Sequence, residues 1–221
     1  KLGTGQPAIF FDNTAIPLIK RRGIPEKLAR NWCVGGCVEP NVPGTTNMWG
    51  EGCRYAYPAA VEWALSNGYS KALGRRIGLE TGDAKDFKTF DQFDDAVQKQ
   101  LKYLIKCSVR FARLAEVCHK RKSPKPVRSM CVTGCMENGR DTTSGGATYN
   151  NGPGLEPTGI ADLADSVMAV KKLVYEDKTL PMYLLLEAID NNFDGYESVR
   201  QMLINNAPKY GNDEDEVDSI V

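Results

Sequence analysis

The chain has 221 residues, of which 42% are hydrophobic and 25% are charged, and its 28 basic residues balance 28 acidic ones. This length is enough for one large domain or two small ones, and the composition is ordinary for a soluble globular protein. The balanced charge does not indicate a nucleic-acid partner. No apolar run approaches the roughly 18–20 residues of a membrane span, so we expect no membrane partner either.

The seven cysteines are an odd number and are spread over the whole chain. This is not the dense, even framework of a small secreted domain, and the start carries no secretion signal. We therefore expect a reducing, cytoplasmic location. The sequence starts at Lys1 rather than at a methionine and shows no stop signal at Val221, so we interpret it as an internal part of a longer polypeptide.

The predicted elements begin with a short buried strand at residues 8–11, which is followed mainly by helices. The clearest helix runs from Asp91 to His119, because Thr89 and Gln92 form a capping box and apolar residues recur at three- and four-residue steps. The other predicted helices lie near residues 16–22, 25–30, 59–67, 161–177, 179–189 and 196–205. Residues 130–135 are predicted to be strand-like, and residues 31–57, 69–88 and 139–159 to be irregular. This alternation indicates the α/β class.

Cys37 and Glu39 carry the strongest chemical signal in the sequence. They lie two residues apart in segment 31–40 (NWCVGGCVEP), which is too rich in glycine and proline for a helix. In an extended backbone, residues two apart project to the same side. The pattern therefore predicts a rigid loop that presents a thiol beside a proton-accepting carboxylate.

Several motifs in order resemble the glycyl radical enzymes, the superfamily of pyruvate formate-lyase and the diol dehydratases. They are GQP at 5–7, GCVEP at 36–40, RDTTSGGATYN at 140–150, the segment 164–174, and APKYGND at 207–213. The resemblance implies an α/β fold that is part of a ten-stranded barrel, with the cysteine on a loop inside it. Residues 1–221 would then be one portion of a single catalytic barrel, without its N-terminal part and its C-terminal glycyl radical domain.

The resemblance also implies a mechanism for the full-length protein. Cys37 would become a thiyl radical that abstracts a substrate hydrogen, and Glu39 would deprotonate the adjacent hydroxyl of a small alcohol. Water, an amine or sulfite would then be expelled. No cofactor is expected to bind this chain, because the radical belongs on an Arg-Val-x-Gly-(Tyr/Phe) motif that the sequence lacks. A radical-SAM iron–sulfur activating enzyme would install it, and the full-length protein would be a homodimer.

The subclass is narrowed by departures from family patterns. Gly36 precedes Cys37, whereas pyruvate formate-lyase proper carries two adjacent cysteines, which argues against that reaction. Residues 48–51 (MWGE) replace the Gly-Trp-His-Asp-like stretch of glycerol and choline enzymes, and the missing histidine puts glycerol in doubt. The candidate substrate-binding residues are Glu51, Trp49, Tyr55, Asn150 and Glu156.

Two alternatives stay open. The aromatic residues near Trp49 could line a pocket for an arylacetate-type acid, which would make the protein a radical decarboxylase. The chain could also be an inactive fragment or a zinc-stabilised interaction module, because the Cys33/Cys37 and Cys131/Cys135 pairs have formally suitable spacings. We expect no metal, however. His119, the only histidine, is expected to be solvated or to cap a helix, and the cysteines outside the 33/37 pair are expected to be buried.

Overall fold

The computed structural model describes residues 8–220, with the side chains of Met48 and Glu51 left out. The predicted motif at residues 5–7 therefore lies outside the described residues. Two compact units are present. Within the described range, the first unit comprises the chain up to Cys53 together with Val109–Glu156, and the second comprises Arg54–Ser108 together with the chain from Pro157 onward.

Helices make up most of the ordered structure. Their bounds are α1 Asp12–Arg21, α2 Glu26–Ala29, α3 Pro58–Leu65, α4 Phe90–Lys122, α5 Pro126–Met130, α6 Ile160–Val170, α7 Met182–Asp190, α8 Glu197–Asn205 and α9 Asp215–Asp218. A π-helical turn, Lys171–Glu176, extends α6, and short 3₁₀ turns occupy Ala84–Asp86 and Thr142–Ser144. None of the helices in the described part of the chain is both long and apolar enough to cross a membrane.

Six strands form three two-stranded sheets within residues 8–220. Their bounds are β1 Cys33–Gly35, β2 Glu39–Asn41, β3 Thr46–Ala56, β4 Tyr69–Ser70, β5 Arg75–Arg76 and β6 Tyr149–Thr158. β1 pairs with β2 and β4 with β5, both antiparallel, and β3 pairs with β6. The mixture of helices and sheets agrees with the predicted α/β class.

In the first unit, a small apolar cluster fixes the β1–β2 hairpin. Ile19 of α1 and Val42, which follows β2, are each 2% exposed and pack together with Ile24 and Ala29. Trp32, next to β1, adds its ring to this cluster and donates its indole N–H to Asp12 at 2.7 Å. Because Trp32 precedes β1 and Val42 follows β2, this cluster holds the base of the hairpin in place.

In the second unit, the core lies between α3, the first part of α4, α6 and α7. Phe93 and Val97 of α4 are almost fully buried there, with Leu163 and Val167 of α6. The capping box of α4 is confirmed, since the Gln92 N–H donates to Thr89 and its side chain accepts from the Thr89 N–H, both at 3.4 Å. The apolar residues that recur at three- and four-residue steps in α4 are not buried along the whole helix. Phe111, in the part of α4 that belongs to the first unit, is 59% exposed.

Three local predictions were wrong. Residues 8–11 form no strand, and Phe11 is 60% exposed. Residues 130–135 are the end of α5 and a series of turns in which Gly134 has φ +96°, a left-handed conformation that interrupts a strand. Residues 31–57, 69–88 and 139–159 were predicted to be irregular, yet the first contains β1, β2 and β3, the second β4 and β5, and the third β6.

Candidate active site

Cys37 lies at the tip of the β1–β2 hairpin. The strands pair with Gly35 opposite Glu39, and residues 36–38 form the turn between them. Gly36 has φ +64°, which side chains rarely adopt, so a glycine is suited to the first turn position. Cys37 is therefore in a turn rather than in the extended backbone that the sequence predicted. Its free thiol is exposed.

The Glu39 carboxylate folds back over this turn. Its Oε2 atom accepts hydrogen bonds from the backbone N–H groups of Cys37, at 2.8 Å, and Val38, at 2.9 Å. The Val38 N–H is the main reason that the pKa of Glu39 lies below its usual value, and burial opposes the effect. The thiol-bearing residue and the carboxylate are thus joined directly, through the amide of Cys37.

Two glycines leave the space that this carboxylate fills. A methyl group built on Gly36 would lie 2.7 Å from Glu39 Oε2, and one on Gly50 would lie 2.5 Å from Oε1. Both distances are too short for real atoms, so a larger residue at either position would collide with the carboxylate. Gly50 belongs to β3 and packs against Gly154 of β6. A Cβ added to Gly154 would collide with the Gly50 carbonyl oxygen. The sequence analysis did not single out Gly50.

Among the candidate substrate-binding residues whose side chains the structure describes, Glu156 lies beside Glu39. Its half-buried side chain is a lesser cause of the lowered pKa of Glu39, after the Val38 N–H. Asn150 instead donates to the carbonyl oxygens of Ala147, at 2.8 Å, and Gly145, and so braces its own loop. The Glu51 side chain is outside the described part of the structure.

The two aromatic candidates belong to different units. Trp49, in the first unit, stacks on His119 with ring centroids 4.4 Å apart and planes inclined by 27°. His119 is consequently half-buried against a ring, and the prediction of a solvated or capping histidine was wrong. Tyr55 belongs to the second unit, where its ring meets the edge of Tyr57 at 5.6 Å.

The loop that leads into β6 is organised by Asp141, which sequence reasoning also missed. Its carboxylate accepts from the Lys125 N–H at 2.8 Å, the Ser129 hydroxyl at 2.7 Å, and both the N–H and the hydroxyl of Thr143. Burial alone would raise the pKa of Asp141, but these hydrogen bonds lower it to about 2. The Asp-Thr-Thr sequence, which is typical of a side chain capping its own turn, was the available signal.

The remaining cysteines do not form a metal site: among residues 8–220, no group of three or more His, Cys, Asp or Glu side chains is arranged so that it could hold a metal ion. Cys135 is buried, which raises the pKa of its thiol. Cys131 and Cys118 are exposed and Cys53 and Cys107 are half-buried, so the prediction that these cysteines are buried was right only for Cys135.

A cavity of about 980 Å³ lies in the second unit and is lined largely by apolar side chains such as Val61, Leu185 and Phe193. Its lining contains no thiol, and Cys37 and Glu39 belong to the first unit. We therefore place the candidate active site at the hairpin and not at this cavity.

The chain is similar to known proteins over almost all of its length. The sequence profile of the pyruvate formate lyase-like family matches residues 1–221. Trans-4-hydroxy-L-proline dehydratase of Clostridioides difficile is 34% identical over 99% of this chain and 28% of its own length. Isethionate sulfite-lyase of Desulfovibrio desulfuricans is 33% identical over the whole chain and 27% of its own length. The glycerol-bound, B12-independent glycerol dehydratase of Clostridium butyricum superposes with a TM-score of 0.88 and 34% identity, covering 98% of this chain and 27% of the dehydratase.

An indoleacetate decarboxylase of Tractidigestivibacter scatoligenes also matches, at 27% identity over the whole chain. The chain spans little more than a quarter of the length of the relatives it matches, 27–28% in these four cases. The fold therefore corresponds to part of a glycyl radical enzyme barrel, in agreement with the prediction. The chain belongs to the pyruvate formate lyase-like family of glycyl radical enzymes.

Proposed function

We propose that the protein containing this chain is a glycyl radical lyase that eliminates a leaving group from a small alcohol. One observation carries the proposal: the Glu39 carboxylate binds the backbone N–H of Cys37 at 2.8 Å, on a three-residue turn. A hydrogen-atom carrier and a base are therefore held together on a single short segment. The identity to a dehydratase and to a sulfite-lyase supports C–O or C–S cleavage as the reaction class.

The proposed chemistry begins with the thiol. When present, the family's glycyl radical would accept the hydrogen atom of the Cys37 S–H group, so the S–H bond breaks and a thiyl radical is left on the sulfur. The exposed sulfur suits this role, because it must meet both another segment of the protein and the substrate. Cys37 then takes a hydrogen atom from the carbon that bears the substrate hydroxyl, so a C–H bond breaks and an S–H bond forms.

Glu39 performs the next step. It removes the hydroxyl proton, the electron pair of the O–H bond contributes to a C=O bond, and the bond from the neighbouring carbon to the leaving group breaks. Water, an amine or sulfite departs with that bonding pair, and the proton now on Glu39 is available to it. Cys37 finally returns a hydrogen atom to the product radical. A positioned base of this kind contributes about 10²–10⁴ in rate.

A glutamate is ionised throughout the neutral range, so Glu39 is in the form that accepts a proton, and its lowered pKa makes it a milder base than a free glutamate. The hydrogen bonds from the turn also hold the carboxylate in one orientation, which lowers the cost of positioning the base.

The alternative is a radical decarboxylase of an arylacetate-type acid. Its support is the stacked Trp49–His119 pair on β3 and α4, together with the similarity to the indoleacetate decarboxylase. The lower identity of that relative, 27% against 33–34% for the dehydratase and the sulfite-lyase, favours the lyase.

The test uses the activated full-length enzyme with a panel of vicinal alcohols, 2-hydroxysulfonates and arylacetates. We expect Cys37→Ala and Glu39→Gln each to form the radical, seen by electron paramagnetic resonance, but to lose turnover. Cys33→Ala removes an exposed thiol from the same hairpin and is the matched control for Cys37. Full turnover of an alcohol by Glu39→Gln would overturn the base assignment, and turnover of arylacetates alone would favour the decarboxylase.

A further inference from the structure

Thr46 is a buried polar residue at the connection between β2 and β3, the two strands that meet at the Glu39 carboxylate. It is 4% exposed and is the first residue of β3, whereas β2 ends at Asn41. Its hydroxyl oxygen accepts the backbone N–H of Val42 at 3.2 Å. The one hydrogen of the hydroxyl is within reach of the Val42 carbonyl oxygen, at 3.0 Å, and of the side-chain oxygen of Asn41. The Thr46 side chain therefore joins the start of β3 to the end of β2.

The backbone of the same connection is compact. The N–H groups of Thr45 and Thr46 both donate to the Val42 carbonyl oxygen, at 3.2 and 3.1 Å. Val42 is itself 2% exposed and belongs to the apolar cluster at the base of the hairpin. Residues 42–46 thus form a tight turn around Val42, in which the Thr46 hydroxyl provides an acceptor for a buried N–H group.

This turn determines which residue of β3 lies against the Glu39 carboxylate. The contact is made by Gly50, since a Cβ added there would lie 2.5 Å from Glu39 Oε1. A strand advances about 3.3 Å per residue, so a slip of β3 by one position would replace Gly50 with Trp49 at this contact. The space beside the carboxylate has no room for such a side chain. The start of β3 must therefore be fixed closely for the carboxylate to keep its place.

A second hydrogen bond holds the start of β3 on its other side. The side chain of Asn47 donates to the carbonyl oxygen of Thr142 at 2.9 Å. Successive residues of a strand project to opposite faces, so Thr46 and Asn47 anchor β3 in two directions. Of these two anchors, Thr46 is the one that is bonded to the chain leading directly from Glu39.

We propose that Thr46 is a positioning residue for the base: its buried hydroxyl fixes the start of β3 so that Gly50 lies against the Glu39 carboxylate. This inference rests on the role of Glu39 in the proposed function. Thr46 acts through Gly50, because the carboxylate placed there is the one that accepts the N–H groups of Cys37 and Val38, at 2.8 and 2.9 Å. These two amides therefore report on the position of the carboxylate.

The test compares Thr46→Val with Thr46→Ser in the full-length protein. Valine has nearly the shape of threonine but no hydroxyl, so Thr46→Val deprives the Val42 N–H of this acceptor, whereas Thr46→Ser keeps it. Thr142→Val is the matched control. Thr142 is 1% exposed in the same unit, and its hydroxyl has no hydrogen-bond partner among the residues that the structure describes.

Two measurements are made on each variant. Amide hydrogen exchange at Cys37 and Val38 needs no activation of the enzyme, and kcat and KM are measured after activation. We expect Thr46→Val to exchange both amides at least about fivefold faster, and to lose about tenfold in kcat with KM unchanged, as for a misaligned base. Thr46→Ser and Thr142→Val should stay within about twofold of the wild type in both measurements.

Wild-type exchange or wild-type kcat in Thr46→Val would overturn the proposal, and so would a tenfold loss of kcat in Thr46→Ser. Equal acceleration at the Thr143 amide, which donates to Asp141 in the same unit, would also overturn it, because the whole unit would then have loosened. If Thr46→Val does not fold, Thr46→Cys replaces it with the same expectations for the two amides, because a thiol forms only weak hydrogen bonds. Failure of the proposed function is a separate result, since Glu39→Gln would then keep its turnover while the exchange result for Thr46→Val would stand.

Discussion

Gly50→Ala tests whether the space beside β3 determines the position of the Glu39 carboxylate. Gly50 lacks the left-handed φ of Gly36, so alanine is conformationally acceptable there and the effect is steric. The new Cβ would lie 2.5 Å from Glu39 Oε1 and 3.0 Å from its carboxyl carbon. Carbon–oxygen contacts are normally about 3.3 Å or longer, so the carboxylate must retreat by roughly 1 Å.

That retreat would weaken the hydrogen bonds of the turn. In the wild type, the bonds from the Cys37 and Val38 N–H groups to Glu39 are 2.8 and 2.9 Å long. A shift of roughly 1 Å would stretch them past the range of effective hydrogen bonds. Hydrogen bonds to a charged acceptor contribute about 1.5–3 kcal/mol when buried. Because this turn is exposed, we reduce the expected loss to about 1–2 kcal/mol, which corresponds to a factor of about 5–30 in an equilibrium constant.

The assay is amide hydrogen exchange resolved to Cys37 and Val38. We expect both amides to exchange about 5–30-fold faster in Gly50→Ala than in the wild type. The Thr143 N–H, which donates to Asp141 at 2.9 Å in a comparable turn, is the internal control and should be unchanged. In a Glu39→Ala background, Gly50→Ala should add nothing, because the colliding group is gone.

Unchanged exchange at Cys37 and Val38 in Gly50→Ala would refute the reasoning, since it would mean that Glu39 is not held by the space at Gly50. Equal acceleration at the Thr143 amide would also count against it, because the substitution would then have loosened the whole unit rather than the hairpin turn.

Two further predictions concern stability. Because the pKa of Asp141 is lowered from 3.8 to about 2, its ionised carboxylate contributes about 2 kcal/mol to the free energy of unfolding. This contribution is present above pH 3.8 and is lost as the pH falls toward 2. The stability gap between wild type and Asp141→Asn in chemical unfolding should therefore close over that interval, and a gap independent of pH would contradict this. The side chain of Gln100 is fully buried and forms hydrogen bonds with both the N–H and the carbonyl oxygen of Leu79. Because Gln100→Leu leaves these two groups without their partner, we expect it to lower the free energy of unfolding by about 2–4 kcal/mol. Gln98→Leu, at a half-buried position of the same helix, should cost far less, and equal losses would rule out the role assigned to Gln100.

The sequence predicted the elements whose signals are local. The α4 helix was located to within three residues at each end, because its capping residues and its basic last turn lie next to the helix they delimit. The strands β3 and β6 were missed because glycine normally marks a turn. Here Gly50 and Gly154 instead allow two strands to approach closely, and nothing local distinguishes the two uses.

The candidate site was predicted in part. Cys37 and Glu39 were identified from their motif, but the turn at Gly36 changes the geometry that an extended chain would give. The stacking of Trp49 on His119 and the contact between Glu39 and Glu156 join residues far apart in the sequence. Such contacts depend on how β3, β6 and α4 pack, which single-chain patterns do not specify.

The central claim is that Cys37 carries the hydrogen-atom transfer. The most direct measurement is turnover of the activated full-length Cys37→Ala enzyme, with radical content quantified by electron paramagnetic resonance in the same samples and Cys33→Ala measured alongside. The account predicts a radical yield like that of the wild type and no product from Cys37→Ala, while Cys33→Ala remains active. Product formation above background by Cys37→Ala would contradict it.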